Sequence, residues 1–130
     1  MNFAGKRALV TGAAGGIGGS ITSMLRAAGA RVAVTDRNTD GIDAEAHFPG
    51  DLTDPSYANA LPVQAAEALG GLDILVNNAA IFHGMRYETL LDVDMDYYYQ
   101  IMKVNMHSPL VMTRAVAASM VQRGGGSVIN

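Results

Sequence analysis

The residues best suited to chemistry lie in a glycine-rich turn near the amino terminus. Its glycines are Gly12, Gly15, Gly16, Gly18 and Gly19. The apolar run Ala8–Val10 precedes the turn, and Ile21, Met24 and Leu25 follow it at helical spacing. Glycines let the backbone approach a pyrophosphate because no Cβ stands in the way, and the free N–H groups of a helix start point at the anion. This order of strand, turn and helix indicates a phosphate site, although tight turns without a ligand use the same residues.

A carboxylate follows where a nucleotide ribose would be held. Asp36 comes directly after the predicted second strand, Arg31–Thr35. It could accept both hydroxyls of an adenosine ribose, and each charge-assisted bond contributes about 1.5–3 kcal/mol. A 2′-phosphate would bring like charge to about 4 Å, which costs on the order of 4 kcal/mol at intermediate dielectric. We therefore predict NAD as the cofactor in preference to NADP. The alternatives are a solvated turn residue at Asp36 and a phosphate bound by the neighbouring Arg37.

A proline interrupts the last predicted helix. Pro109 lies four residues after Asn105, so it has no N–H to give to the Asn105 carbonyl, and its ring pushes that carbonyl away. A buried carbonyl without a donor needs another partner, for which water is suited. The hypothesis is a water held at Asn105, and the alternative is a kink that only serves packing.

The three histidines do not indicate a metal site. His47, His83 and His107 lack the spacing of metal ligands, and the chain has no cysteine to supply a thiolate. We interpret His83 as a solvated loop residue, with contact to a substrate as the alternative.

The chain alternates predicted strands and helices. The strands are Lys6–Thr11, Arg31–Thr35, Ala46–Phe48, Leu72–Val76 and Ser127–Ile129, and the helices are Ile17–Ala28, Pro55–Leu69 and Asp92–Gln122. This alternation predicts one α/β domain over residues 1–130, a doubly wound parallel sheet of about five strands that is incomplete at its C-terminal edge. Ligands of such sheets bind beyond the carboxyl ends of the strands, where the glycine turn, Asp36, Asp51 and Asn77–Ala80 all fall.

Composition excludes several other classes of protein. Hydrophobic residues make up 49% of the 130 residues and charged residues 16%, as in a globular domain. The net charge of −3, with scattered Lys and Arg, argues against a nucleic-acid surface. The first residues show no signal-peptide pattern, and no apolar run approaches the about 18 residues of a membrane helix. We expect a soluble, cytoplasmic protein with no membrane or nucleic-acid partner.

In the glycine turn and in four later motifs, the sequence resembles the short-chain dehydrogenase/reductase family. Residues 11–18, which include Ile17, fit the family's Thr-Gly-x-x-x-Gly-x-Gly turn. Asp51 and Leu52 are similar to the family's aspartate and hydrophobic residue that follow the third strand and hold the adenine. Asn77–Ala80 is similar to the family's Asn-Asn-Ala-Gly, with Ala80 in place of the last glycine. Residues 103–105 resemble its helix-borne Val-Asn, and residues 125–130 resemble the lead-in to its fifth strand.

The resemblance implies a Rossmann-type fold and a set of roles. Asn105 would belong to the catalytic tetrad and hold a water of the proton relay through its main chain. The cofactor would contact these residues: Gly12, Gly15, Gly16, Ile17, Gly18, Asp36, Arg37, Asp51, Leu52, Asn78, Ala79 and Ala80. The implied activity is NAD(H)-dependent oxidation of an alcohol or reduction of a ketone, with a tyrosine as general base. A homo-oligomer, either a dimer or a tetramer, is also implied.

The sequence departs from the family pattern in its catalytic residues. The family's serine closes the fifth strand, and its tyrosine and lysine lie on the next helix, whereas this chain ends at Asn130. Tyr99 and Lys103 have the spacing of the family's catalytic Tyr-x-x-x-Lys pair. They precede Asn105, however, whereas the family's pair lies after the fifth strand, so we interpret them as non-catalytic. We expect a piece of a longer protein or of a complex, inactive alone. The alternative is a catalytically empty NAD-binding module that acts through association or regulation.

Overall fold

The computed structural model describes residues 2–82 and 84–130. Five parallel strands form one sheet in the order β3-β2-β1-β4-β5. The strands are β1 Arg7–Thr11, β2 Arg31–Asp36, β3 Ala46–Pro49, β4 Ile74–Val76 and β5 Ser127–Ile129. The helices are α1 Gly16–Ala27, α2 Pro55–Leu69, α3 Met95–Met102 and α4 Ser108–Gln122, and a π-helical segment, Lys103–His107, joins the last two. The predicted α/β fold with about five strands is confirmed.

The sheet is buried on both faces at its centre, which explains the unbroken apolar run of β1. Leu9 packs with residues of α2 and α4 on one face. Val10 points to the other face, which α1 covers through Ile21 and Leu25. Adjacent residues of a strand face opposite ways, so a strand between two layers of helices has no place for polar alternation.

The predicted bounds of α2, Pro55–Leu69, are confirmed, and local interactions at both ends explain them. Asp54 is the N-cap, and its side chain accepts a hydrogen bond from the Ser56 N–H at 2.8 Å. Pro55 occupies the first turn, where its missing N–H costs nothing. Gly70 ends the helix in the left-handed region at φ 76°, which glycine adopts without strain.

The last predicted helix, Asp92–Gln122, was wrong in its start, and the interruption expected at Pro109 takes the form of a π-helical segment. The helix begins at Met95 because Asp94 caps it, accepting from the N–H groups of Asp96 and Tyr97. Its middle is π-helical: the Ser108 N–H donates to the Lys103 carbonyl, five residues back. Pro109 follows directly and has no N–H to continue the regular ladder.

The predicted start of β4 at Leu72 was also too early. The strand begins at Ile74, and directly before it the Asp73 N–H donates to the Arg7 carbonyl at 2.9 Å while the Asp73 carboxylate accepts from the Arg7 N–H at 2.9 Å. The opposite end of this strand leads into the candidate site. Among the described residues, no helix has the length and apolar character needed to span a membrane.

Candidate functional site

The glycine turn leaves open space at the start of α1. Gly15 is the N-cap and Gly16 the first helical residue, and no side chain of the described residues caps this end. A Cβ built on either glycine would meet none of their atoms within 4 Å. Ile17, the next residue, is 71% exposed. Because the first N–H groups of a helix have no acceptor within it, they are available here to an anion such as a pyrophosphate.

Gly12 and Gly18 serve a different purpose, which is close packing. Gly12 has φ 67°, and a Cβ on it would lie 2.9 Å from the Ala79 Cα. A Cβ on Gly18 would overlap the Gly12 carbonyl and lie 2.6 Å from Nδ2 of Asn78. The two glycines therefore allow the turn, α1 and the segment after β4 to meet.

Hydrogen bonds join the same segments. Oγ1 of Thr11, at the end of β1, accepts from the main-chain N–H groups of Asn78 at 3.0 Å and Ala79 at 2.9 Å. The Asn78 side-chain amide donates back to the carbonyls of Thr11 at 3.0 Å and Gly12 at 3.2 Å. Thr11 is only 1% exposed, so the Thr11 side of these bonds is shielded from water, whereas Asn78 and Ala79 are partly exposed. They fix the segment after β4 against the glycine turn.

Asp36 is also tied to the glycine turn. Oδ2 accepts from the Ala14 N–H at 3.0 Å, and Oδ1 accepts from the Arg37 N–H at 2.7 Å. Each carboxylate oxygen has a second lone pair, so both can still accept a bond from a ligand hydroxyl. These two main-chain bonds orient the carboxylate at the carboxyl end of β2.

A cavity of about 540 Å³ gathers most of the predicted adenosine-side residues. Of the sequence-predicted residues, it is lined by Gly12, Asp36, Arg37, Asp51, Leu52, Ala79 and Ala80. Its lining also includes residues that were not among the predicted set, and four of them are Phe82, Tyr97, Gln100 and Val104. Apart from Phe82, which lies in the segment after β4, they come from the last helices. Val104 belongs to the Val-Asn pair noted in the sequence, whereas nothing in the local sequence of the other three indicates a place in this cavity.

Asp51 is held as a charged group at the rim of this cavity. Its Oδ1 accepts from the Thr53 N–H at 2.8 Å. This bond, with one from the Thr53 side chain and the positive charge of Arg37, lowers the pKa of Asp51 despite some desolvation. A carboxylate that stays ionised is a good acceptor for the amino group of a base.

A second cavity, of about 660 Å³, lies on the other side of Ala79 and Ala80. Asn78, Asn105 and Pro109 line it with those two alanines. The two cavities share the segment after β4, so a ligand longer than a mononucleotide could reach from one to the other. Asn105 thus lies at the end farther from Asp36.

The Asn105 side chain has a role that sequence reasoning missed. Its Oδ1 accepts from the Ile81 N–H at 2.8 Å, and its Nδ2 donates to the Ile81 carbonyl at 3.0 Å. This pair of bonds ties the π-helical segment to the residues after β4. The water on its main-chain carbonyl stays a prediction, supported by the irregular helix directly before Pro109.

Residues interpreted as non-catalytic lie away from both cavities. Tyr99 is 54% exposed and lines neither, and Lys103 is also exposed. His47 and His107 are exposed, and His83 lies outside the described residues. Within residues 2–82 and 84–130 no cluster of three metal-ligating side chains occurs.

Comparison with known proteins identifies the family of this chain. The short chain dehydrogenase family model matches residues 6–130. An uncharacterized oxidoreductase of Mycobacterium tuberculosis is 45% identical over 139 residues, covering 98% of this chain and 56% of its own length. Carbonyl reductase [NADPH] 2 of Sus scrofa is 40% identical over 136 residues, covering all of this chain and 54% of its own length.

A solved structure gives the same result. A short chain dehydrogenase from Burkholderia cenocepacia, in complex with NADP, superposes with a TM-score of 0.81 at 37% identity, covering 91% of this chain and 52% of its own. The chain therefore spans about half the length of the relatives it matches. With a matching family model, these glycines and this sheet order, the chain belongs to the short-chain dehydrogenase family.

Proposed function

We propose that this chain binds a nicotinamide dinucleotide across the two cavities, as the cofactor half of an oxidoreductase. The observation that carries this proposal is the link between Asp36 and the glycine turn through the Ala14 N–H. This bond holds the Asp36 carboxylate, which could accept ribose hydroxyls, next to the turn that begins α1. A ligand with a ribose next to a pyrophosphate matches that pairing.

Each part of the dinucleotide has matching residues. The N–H groups at the start of α1 would bind the pyrophosphate, since Gly15 and Gly16 leave the space above them open. Asp36 would accept the adenosine ribose hydroxyls, and Asp51 with Leu52 would border the adenine. The nicotinamide, which supplies or takes up a hydride when bound, would reach toward Asn105. Asn105 would hold a relay water through its main-chain carbonyl.

We propose NAD(H) in preference to NADP(H). The relatives named above include one called an NADPH reductase and one solved with NADP. In this chain, however, a 2′-phosphate would approach both oxygens of Asp36, and like charges at about 4 Å repel by on the order of 4 kcal/mol. Arg37 is exposed next to it and could offset part of that cost. We expect NADH to bind at least about tenfold more tightly than NADPH.

The test is a fluorescence titration of the protein with NADH and with NADPH. Asp36→Ala should weaken NADH binding and narrow the difference between the two cofactors. Asp40→Ala is the matched control, because Asp40 is an exposed carboxylate in the same connection. Equal affinities in the unmutated protein would refute this role of Asp36.

For the whole protein we propose oxidation of alcohols or reduction of ketones, in the cytoplasm and as a homo-oligomer. Family membership supports the reaction class. Exposed apolar side chains of the π-helical segment and α4, namely Met106, Leu110 and Val121, support self-association. The assay follows NADH absorbance with a panel of alcohols and ketones, and light scattering gives the mass. If the whole protein turned over no substrate of the panel, this result would contradict the proposed oxidoreductase activity.

A catalytically empty cofactor-binding module is the second candidate. One observation favours it: the described residues that line the cavity beside Asn105 include no tyrosine, lysine or serine. Proton transfer at that place needs such a group within hydrogen-bond reach. Tight NADH binding without turnover, unchanged by Tyr99→Phe, would support this candidate, and turnover by the 130-residue chain would exclude it.

A further inference from the structure

Tyr57, in the first turn of α2, lies outside both cavities, yet it contacts three segments that build the adenosine side. Its hydroxyl donates to the Phe48 carbonyl of β3 at 2.7 Å and lies 2.7 Å from Oγ1 of Thr35 in β2. Because the tyrosine hydrogen goes to the carbonyl, Thr35 is the donor in the second bond. One oxygen therefore joins the ends of β2 and β3.

The ring of Tyr57 makes the third contact, with Gly50. A Cβ on Gly50 would overlap three atoms of the ring, so only a glycine backbone can lie this close to it. The Gly50 N–H in turn donates to the Asp36 carbonyl at 2.9 Å. Tyr57 thus supports the residue that joins Asp36 to the 51–53 loop.

These supported residues are walls of the 540 Å³ cavity. Thr35, Asp36 and residues 50–53 all line it, whereas Tyr57 does not. Burial raises the pKa of the Tyr57 hydroxyl, so it remains a proton donor at neutral pH. Its two bonds are therefore present under ordinary conditions.

We propose that Tyr57 is a positioning residue for adenosine recognition, setting the distance between Asp36 on β2 and the 51–53 loop. This inference rests on the proposed cofactor role of the cavity. The relevant ligand is the adenosine monophosphate part of the dinucleotide. Tyr57 touches none of that ligand itself and acts through Thr35, Phe48 and Gly50.

The test compares AMP and NAD binding by calorimetry to the full protein and to Tyr57→Phe, which removes only the hydroxyl. We expect both dissociation constants to rise by the same factor of about three to ten, the effect of one ordinary hydrogen bond. Tyr87→Phe is the control, because Tyr87 is fully exposed. A merely structural role would lower the melting temperature of Tyr57→Phe without changing either constant at temperatures where the protein is folded.

The outcomes distinguish failure of the positioning role from failure of the proposed function. Constants within about twofold of the unmutated values, or a change for NAD without one for AMP, overturn the positioning role. If Tyr57→Phe does not fold, Thr35→Val removes one of the same two bonds and must give the same parallel rise. If the unmutated protein binds neither AMP nor NAD, the proposed function itself fails.

Discussion

Substitution of Thr11 by valine removes one oxygen and keeps the shape of the side chain. That oxygen accepts from the N–H groups of Asn78 and Ala79, and Thr11 is 1% exposed. Each donor left without a partner in a shielded place costs about 1–3 kcal/mol. Because water can reach part of the segment after β4, we expect a total loss of about 2–4 kcal/mol in the free energy of unfolding. This is a large part of the about 5–15 kcal/mol typical of a domain.

The assay is urea unfolding followed by circular dichroism. The matched control is Thr22→Val, because Thr22 is 2% exposed and equally β-branched. Its hydroxyl donates to the Gly18 carbonyl at 2.9 Å, a group that the helix ladder already serves, so its loss leaves no donor unpaired. We expect the control to cost less than about 1 kcal/mol. Equal costs for the two substitutions, or a Thr11→Val loss below about 0.5 kcal/mol, would refute this reasoning.

Three further predictions concern other parts of the structure. The Arg7 side chain lowers the pKa of Asp73, so the stabilisation from this ion pair is present at neutral pH and is lost as the pH falls below about 4 and through the lowered pKa. Asp73→Asn should cost about 2 kcal/mol in the free energy of unfolding at pH 7, and this difference from the unmutated protein should shrink as the pH is lowered further. Gly12→Ala would combine a φ of 67° with a Cβ contact of 2.9 Å, and we expect it to lower the free energy of unfolding by at least about 2 kcal/mol in thermal unfolding. The control is Gly41→Ala, which has a φ of 73° but open space around it and should cost only about 1 kcal/mol of backbone strain. Asn105→Ala leaves both main-chain groups of Ile81 without their partner and should speed amide hydrogen exchange at Ile81 by at least about tenfold, and unchanged exchange there would contradict this role.

The parts of the fold that sequence predicted depend on signals between near neighbours. The Asp54–Pro55 pair marks the start of α2 because an N-cap and a first-turn proline act within one turn. Gly70 marks its end for the same kind of reason. The glycine turn could also be interpreted from its neighbours in sequence, because the strand directly before it and the helix directly after it indicate a phosphate site.

The parts that sequence could not predict depend on distant partners. Thr11 and Asn78 are 67 residues apart, and Asn105 and Ile81 are 24 apart. No periodicity or spacing records such a pair, since it forms only when the sheet brings the strand ends together. Pro109 indicated an irregular helix, but its lack of an N–H does not determine whether the chain kinks or widens into a π-helical segment.

The most direct test of the central claim is a crystal structure of the protein bound to NADH. We predict the adenosine ribose hydroxyls within hydrogen-bond distance of the Asp36 carboxylate and the pyrophosphate at the N–H groups that begin α1. A dinucleotide bound elsewhere would contradict the account, for example in the cavity of about 690 Å³ between α1 and residues 41–45.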